Sequence, residues 1–176
     1  MEIKLSSRQF RVKGIAEMIA DCLQKHNLSG ESLELEITER LLMKDVPEVI
    51  TTLNQVKEMN TRLSIDDFGT GYSSLNYLCK LPVDTLKIDR GFVHGMMDNK
   101  KKRSVVKAII SFAHALHRDV VAEGVETKEQ FIFINAMRCT SVQGYILSKP
   151  ISVEDFYILH KSGGSFKHIM GDIEKT

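Results

Sequence analysis

Leu63-Ser64-Ile65-Asp66-Asp67-Phe68-Gly69-Thr70-Gly71-Tyr72-Ser73-Ser74-Leu75 is the stretch on which the fold turns. An apolar strand, Leu63 to Ile65, runs into two adjacent carboxylates. A glycine-rich turn follows, and a helical segment begins near Ser73. Neighbouring like charges each disfavour ionisation of the other. A divalent cation removes that cost, so the pair reads as a hard-metal site. The competing reading is an Asx-type turn that caps the following helix. Gly69 and Gly71 supply the backbone freedom that a loop closing over a ligand needs.

Outward from this stretch, short apolar runs alternate with helical patterns. The strand candidates are Ile3–Ser6, Leu33–Thr38, Leu63–Asp67, Thr85–Asp89, Val120–Glu123 and Ser141–Tyr145. Helical periodicity marks Gln9–Lys25, Val46–Met59 and Ser104–His117; in the last, Val105, Val106, Ile109, Ile110, Ala113 and Leu116 form one apolar stripe. Pro47 stands where a first helical turn tolerates it. Such alternation argues for an α/β fold with a parallel sheet, either a barrel or a doubly wound sheet. The strand ends decide. In order they carry Lys4, Glu36, Asp66 with Asp67, Lys87, Glu123 and Gln143. Six successive strands deliver a charged or amide side chain to one end, where the loops of a (β/α) barrel build the active site. A doubly wound sheet gathers its site from two or three strands. The expected fold is therefore an incomplete TIM-type barrel, with six strands of eight and 176 residues against the roughly 250 usual for the fold. The two lacking strands are expected to be N-terminal.

Bulk properties narrow the function classes. With 24 basic and 23 acidic side chains, nothing global points to nucleic acid or an anionic membrane. No apolar run approaches a membrane span, and Glu2-Ile3-Lys4-Leu5 is no signal sequence. Cys22, Cys79 and Cys139 are odd in number and form no C-x-x-C pattern, which suits reduced thiols in a cytosol. His114 and His117 share a helix face, but without a third ligand they read as a solvated pair rather than a zinc site. Lys100-Lys101-Lys102-Arg103, with no interleaved aromatics, reads as a solvated helix entry.

Several separate motifs then coincide in one order. They are Lys4-Leu5-Ser6-Ser7-Arg8-Gln9-Phe10, Leu35-Glu36-Ile37-Thr38-Glu39, Asp66 to Leu75, Leu86-Lys87-Ile88-Asp89, Val121-Ala122-Glu123-Gly124-Val125-Glu126-Thr127 and Val142-Gln143-Gly144-Tyr145. Over residues 2–160 the chain resembles the EAL-type phosphodiesterases of bacterial cyclic dimeric GMP (c-di-GMP) signalling. The resemblance implies a barrel in which two Mg²⁺ or Mn²⁺ ions activate a water that opens one phosphodiester to give linear pGpG. It also implies that Glu36 and Asp66 are metal ligands, with Asp66 bridging, that Asp67 serves the second ion, and that Glu123 completes the carboxylate shell. Lys87 would stand beside the water and the scissile phosphate, and Gln143 would orient the nucleophile. Glu39 would anchor the loop Phe68–Ser74, which the family associates with dimer contacts and metal coupling; Phe68, Gly69, Thr70 and Gly71 are its ligand-contacting part.

Two departures bear on activity. The glutamate of the Glu-Ala-Leu signature, with a neighbouring arginine-bearing segment, lies in the family upstream of Lys4 and has no counterpart in this sequence. The family's metal-binding asparagine falls at Lys4, and an ammonium has no lone pair to give. Arg138 and Thr140 also stand where the family shows Gly and Asp. Lys4 is expected either to pair with Glu36 or Asp66 in place of a cation or to turn into solvent. Three readings follow: a phosphodiesterase-family domain with impaired hydrolysis, a degenerate module that binds c-di-GMP or a protein partner, or a remnant without function. Open edges at Ile3–Leu5 and Val142–Tyr145 lead to the expectation of a homodimer or another protein partner. Ser162-Gly163-Gly164-Ser165 reads as a link to a short amphipathic helix at Phe166–Lys175.

Overall fold

A computed structural model describes residues 1–43, 46–71 and 75–161; Tyr72 to Ser74 and the tail helix expected at Phe166–Lys175 lie outside the described residues. Six strands form one parallel sheet: β1 (Glu2–Leu5), β2 (Glu34–Thr38), β3 (Arg62–Phe68), β4 (Thr85–Ile88), β5 (Asp119–Glu123) and β6 (Ser141–Gln143), each pairing with its neighbour in sequence. The helices are α1 (Ser7–Phe10), α2 (Ile15–Lys25), α3 (Val46–Lys57), α4 (Leu75–Leu78), α5 (Arg90–Val93), α6 (Lys100–Ala115), α7 (Lys128–Ala136) and α8 (Val153–Lys161), with 3₁₀ turns at Gly30–Ser32 and Glu39–Met43.

The period of two divides the sheet into an apolar and a polar face. Leu35, Ile37, Leu63, Ile65, Leu86, Ile88, Val120 and Ala122 point to the helices and are buried. They meet stripes such as Val106, Ile109, Ile110 and Ala113 of α6. The opposite face carries Glu2, Lys4, Glu34, Glu36, Arg62, Ser64, Asp66, Thr85, Lys87, Asp119, Glu123 and Gln143, and it is concave. Glu2 of β1 lies 3.0 Å from the Lys87 ammonium of β4; a flat sheet would hold those backbones about 14 Å apart, three spacings of about 4.8 Å. The sheet therefore curls as a barrel wall does, with β1 and β6 as its edges.

The helix expected over Gln9–Lys25 is two helices. Gly14, at φ 82°, adopts the left-handed conformation between α1 and α2, which a continuous helix of L-residues does not contain. α6 starts earlier than its apolar stripe, because the Asn99 side chain accepts from the Lys101 and Lys102 amides and so satisfies donors that a helix start leaves open.

Candidate active site at the strand ends

The Asp66–Asp67 pair owes its arrangement to a bulge. Across β3 and β4, Ile65 faces Leu86 and Phe68 faces Ile88, so two aspartates oppose the single Lys87. The extra residue is absorbed by Asp67, at φ 56°. Without it the alternation would send Phe68 to the polar face; with it Phe68 is buried and stacks on Phe112. The Asp67 amide donates to Asp66 Oδ1 at 2.8 Å, which fixes the buried carboxylate. Bulges of this kind re-aim side chains beside active sites.

Glu36, Asp66 and Glu123 each bring a carboxylate oxygen within 4.8 Å of the others'. Hard oxygen donors this close, two of them on buried residues, fit a divalent cation such as Mg²⁺ or Mn²⁺. Two ammoniums now face them. Lys87, almost fully buried, donates to Glu36 and to Glu2 and lies 3.0 Å from Glu123, so three carboxylates surround its ammonium. Lys4, half exposed, pairs with Asp66 and lies 3.8 Å from Asp67. Of the partners expected for Lys4, the structure selects Asp66; Glu36 belongs to Lys87, and the solvent-facing alternative for Lys4 is set aside. The hydrogen bond to Asp66 raises the Lys4 pKa against the opposing effect of its burial. Burial raises the Glu123 pKa; Lys87 opposes the rise, while Asp66 and Asp67 add to it.

Asp67, its side chain 45% exposed, stands outside the three-carboxylate cluster. So does Gln143, an exposed residue of β6 in register with Glu123. Gln143 lines, together with Lys87, Glu2 and Arg62, a cavity of about 380 Å³ on the concave face. Glu39 holds the glycine turn: its Oε2 accepts from the amides of Gly69 at 2.9 Å and Gly71 at 3.0 Å. A Cβ at Gly71 would press on that carboxylate at 3.0 Å, and one at Gly69, at φ 96°, would meet Phe92 at 2.9 Å. Thr70 donates its hydroxyl to the Asp67 carbonyl at 2.8 Å.

Two residues of this face escape a reading of motifs. Glu2 reaches Lys87 from outside any of them, although its period-two spacing from Lys4 puts both on one face. Ser64, in register with Glu36 and Thr85, is wholly buried; its small side chain carries no sequence signal.

A curled wall of parallel strands with a cluster of carboxylates at its mouth is the class this fold and site define. The profile of the EAL domain matches residues 1–150, and the chain belongs to the EAL domain family. Among similar proteins, the bifunctional diguanylate cyclase/cyclic di-GMP phosphodiesterase MucR of Pseudomonas aeruginosa is 40% identical over 152 residues, covering 86% of this chain and 22% of that protein. The cyclic di-GMP phosphodiesterase NbdA of the same organism is 42% identical over 145 residues, covering 81% of this chain and 18% of that one. The chain thus spans about a fifth of the length of these relatives. Solved structures agree. A P. aeruginosa MucR phosphodiesterase in complex with c-di-GMP superposes with a TM-score of 0.85 at 39% identity, over 88% of this chain and 63% of that one. The EAL domain of Mycobacterium smegmatis DcpA does so with a TM-score of 0.85 at 39% identity, over 92% and 73%.

Proposed function

We propose that the chain is an EAL module of c-di-GMP signalling that keeps its acidic cation site but hydrolyses the dinucleotide poorly. Glu36, Asp66 and Glu123 would hold a divalent ion, Mg²⁺ or Mn²⁺, with Asp67 serving a second one. Such ions, when bound, stabilise the attacking and leaving oxygens of phosphodiester hydrolysis. The chain's own contribution is to bury the carboxylates, to place the Lys87 ammonium among them beside the expected phosphate, and to hold the turn Phe68–Gly71 through Glu39. Gln143 would orient the water from the edge strand.

The observation that carries the impairment is the Lys4 ammonium on Asp66. It occupies the carboxylate on which both ions would depend, and its positive charge opposes a cation there. Incubation with c-di-GMP and Mn²⁺, followed by chromatography of pGpG, tests this. Little or no product is expected, and turnover at an ordinary enzymatic rate, about 1–10³ s⁻¹, overturns it. The same ion pair favours a second reading, a module that binds c-di-GMP or a protein partner without hydrolysis. Saturable calorimetric binding of c-di-GMP without turnover would support that reading over a remnant.

The outer edges of β1 and β6 each leave strand backbone groups without a sheet partner among the described residues. Exposed edges recruit other strands, so the module is proposed to associate as a homodimer or with another protein; a monodisperse monomer in sedimentation excludes this. The free thiols of Cys22, Cys79 and Cys139 suit the reducing cytosol in which such signalling would run. Among the described residues no helix is long and apolar enough to cross a membrane.

A further inference from the structure

Ser64 lies one step below Asp66 on the concave face of β3. Its hydroxyl is the one buried side-chain polar atom among the described residues that has no hydrogen-bond partner. A buried hydroxyl without a partner is costly, and such groups in native proteins call for a cause. Its neighbours show why no partner is at hand. Along β3, Arg62 is held by Asp119 at 2.7 Å, and Asp66 is held by Lys4. Across to β4, the Thr85 hydroxyl accepts from Arg62 at 3.3 Å. Across to β2, Glu36 is in register with Ser64 but turns its carboxylate to Lys87.

Resting on the cation-site reading above, we propose that Ser64 is a positioning residue for Glu36. Its hydroxyl supplies the hydrogen bond that holds the Glu36 carboxylate once a divalent ion draws it away from Lys87. A carboxylate that gives one oxygen to a cation needs a donor for the other, and partners of this kind set the orientation of metal ligands. Ser64 is the buried donor in register with Glu36 and has no other acceptor. An idle buried hydroxyl is a stability cost, here carried for the cation-loaded state.

The test is Mn²⁺ uptake by the whole chain, followed by electron paramagnetic resonance, alongside thermal melts of the metal-free protein. The variants are S64A, S64C, which keeps the volume with a weak donor, and S64T, which keeps the hydroxyl. Each is made in the native sequence and with K4N, which frees Asp66. S64A and S64C are expected to weaken Mn²⁺ binding about tenfold, with S64T close to the native serine. Metal-free S64A is expected to melt about 2–4 °C higher. A purely structural serine would move the melting temperature and leave Mn²⁺ affinity unchanged, which overturns the inference. Uptake that D66N abolishes but Ser64 variants leave intact rejects the role of Ser64 alone. No uptake in either background rejects the cation site and the inference together.

Discussion

The two ends of the sheet use the same chemistry to different effect. Toward the N-terminal ends of the strands, two cations meet three carboxylates: Lys57 binds Asp84 at 2.9 Å, and Arg62 lies between Asp119 at 2.7 Å and Glu34 at 3.7 Å. At the other end two ammoniums face five carboxylates, Lys4 with Asp66 and Asp67, Lys87 with Glu2, Glu36 and Glu123. The first set ties the strands to one another and to α3. Lys57, for instance, also donates to the Thr61 carbonyl, and Asp84 accepts from the Leu63 amide. The second set carries the larger surplus of negative charge, gathered around the buried Glu36, Asp66 and Lys87. Charged strand ends alone do not mark a functional site; a large excess of one sign around buried groups is the stronger indication.

Removing Lys87 should break the contrast most severely. K87M leaves Glu2, Glu36 and Glu123 without their shared ammonium and is expected to cost about 3–5 kcal/mol in urea unfolding, part of it recovered with Mn²⁺. A smaller loss that ignores Mn²⁺ would mean that the surplus charge is less confined than the geometry implies.

Next comes a pH effect from the N-terminal side. The Cys139 thiol touches the Val120 carbonyl, and burial, outweighing backbone hydrogen bonds, pushes its pKa from 9.0 to about 11. Between those values the unfolded chain loses the thiol proton while the folded chain keeps it. Stability is therefore unaffected below about pH 9, falls between about pH 9 and 11 and levels off above, by roughly 3 kcal/mol in all at about 1.4 kcal/mol per unit. Denaturation of C139A beside the native protein isolates the effect, and equal slopes would remove it.

R62A should cost about 1 kcal/mol, since the Arg62 side chain is 46% exposed and pairs of this kind are screened. Mn²⁺ affinity should not move; a change would show that the two ends are coupled. K4N is expected to have the smallest effect on stability, under about 1 kcal/mol because Lys4 is half exposed. It should also tighten Mn²⁺ binding about tenfold, which calorimetry reads directly. Unchanged affinity would separate Lys4 from the cation site.

Much of this was legible before any coordinates. Every expected strand is present, with bounds moved by at most two residues, because the apolar face leaves a period-two pattern that a slip would invert. Glu36, Asp66 and Glu123 meet because parallel strands bring like ends together. The break at Gly14 and the bulge at Asp67 were not legible, since both are backbone conformations at residues that have other uses. Ser64 was silent for another reason: its interest lies in a bond it does not make. The exposed place of Gln143 follows from β6 being an edge, which the strand count leads one to expect at Val142–Tyr145.

The strict sequential order of the strands has a consequence for how the chain comes to be folded. Each pairing requires closure of only the single crossover that joins neighbouring strands, so loop entropy is met in short instalments. A nascent chain can add one strand–helix unit at a time to the edge already formed, in the direction of synthesis. Each half-built stage resembles the end state in one respect: it presents a parallel edge ready for the next strand.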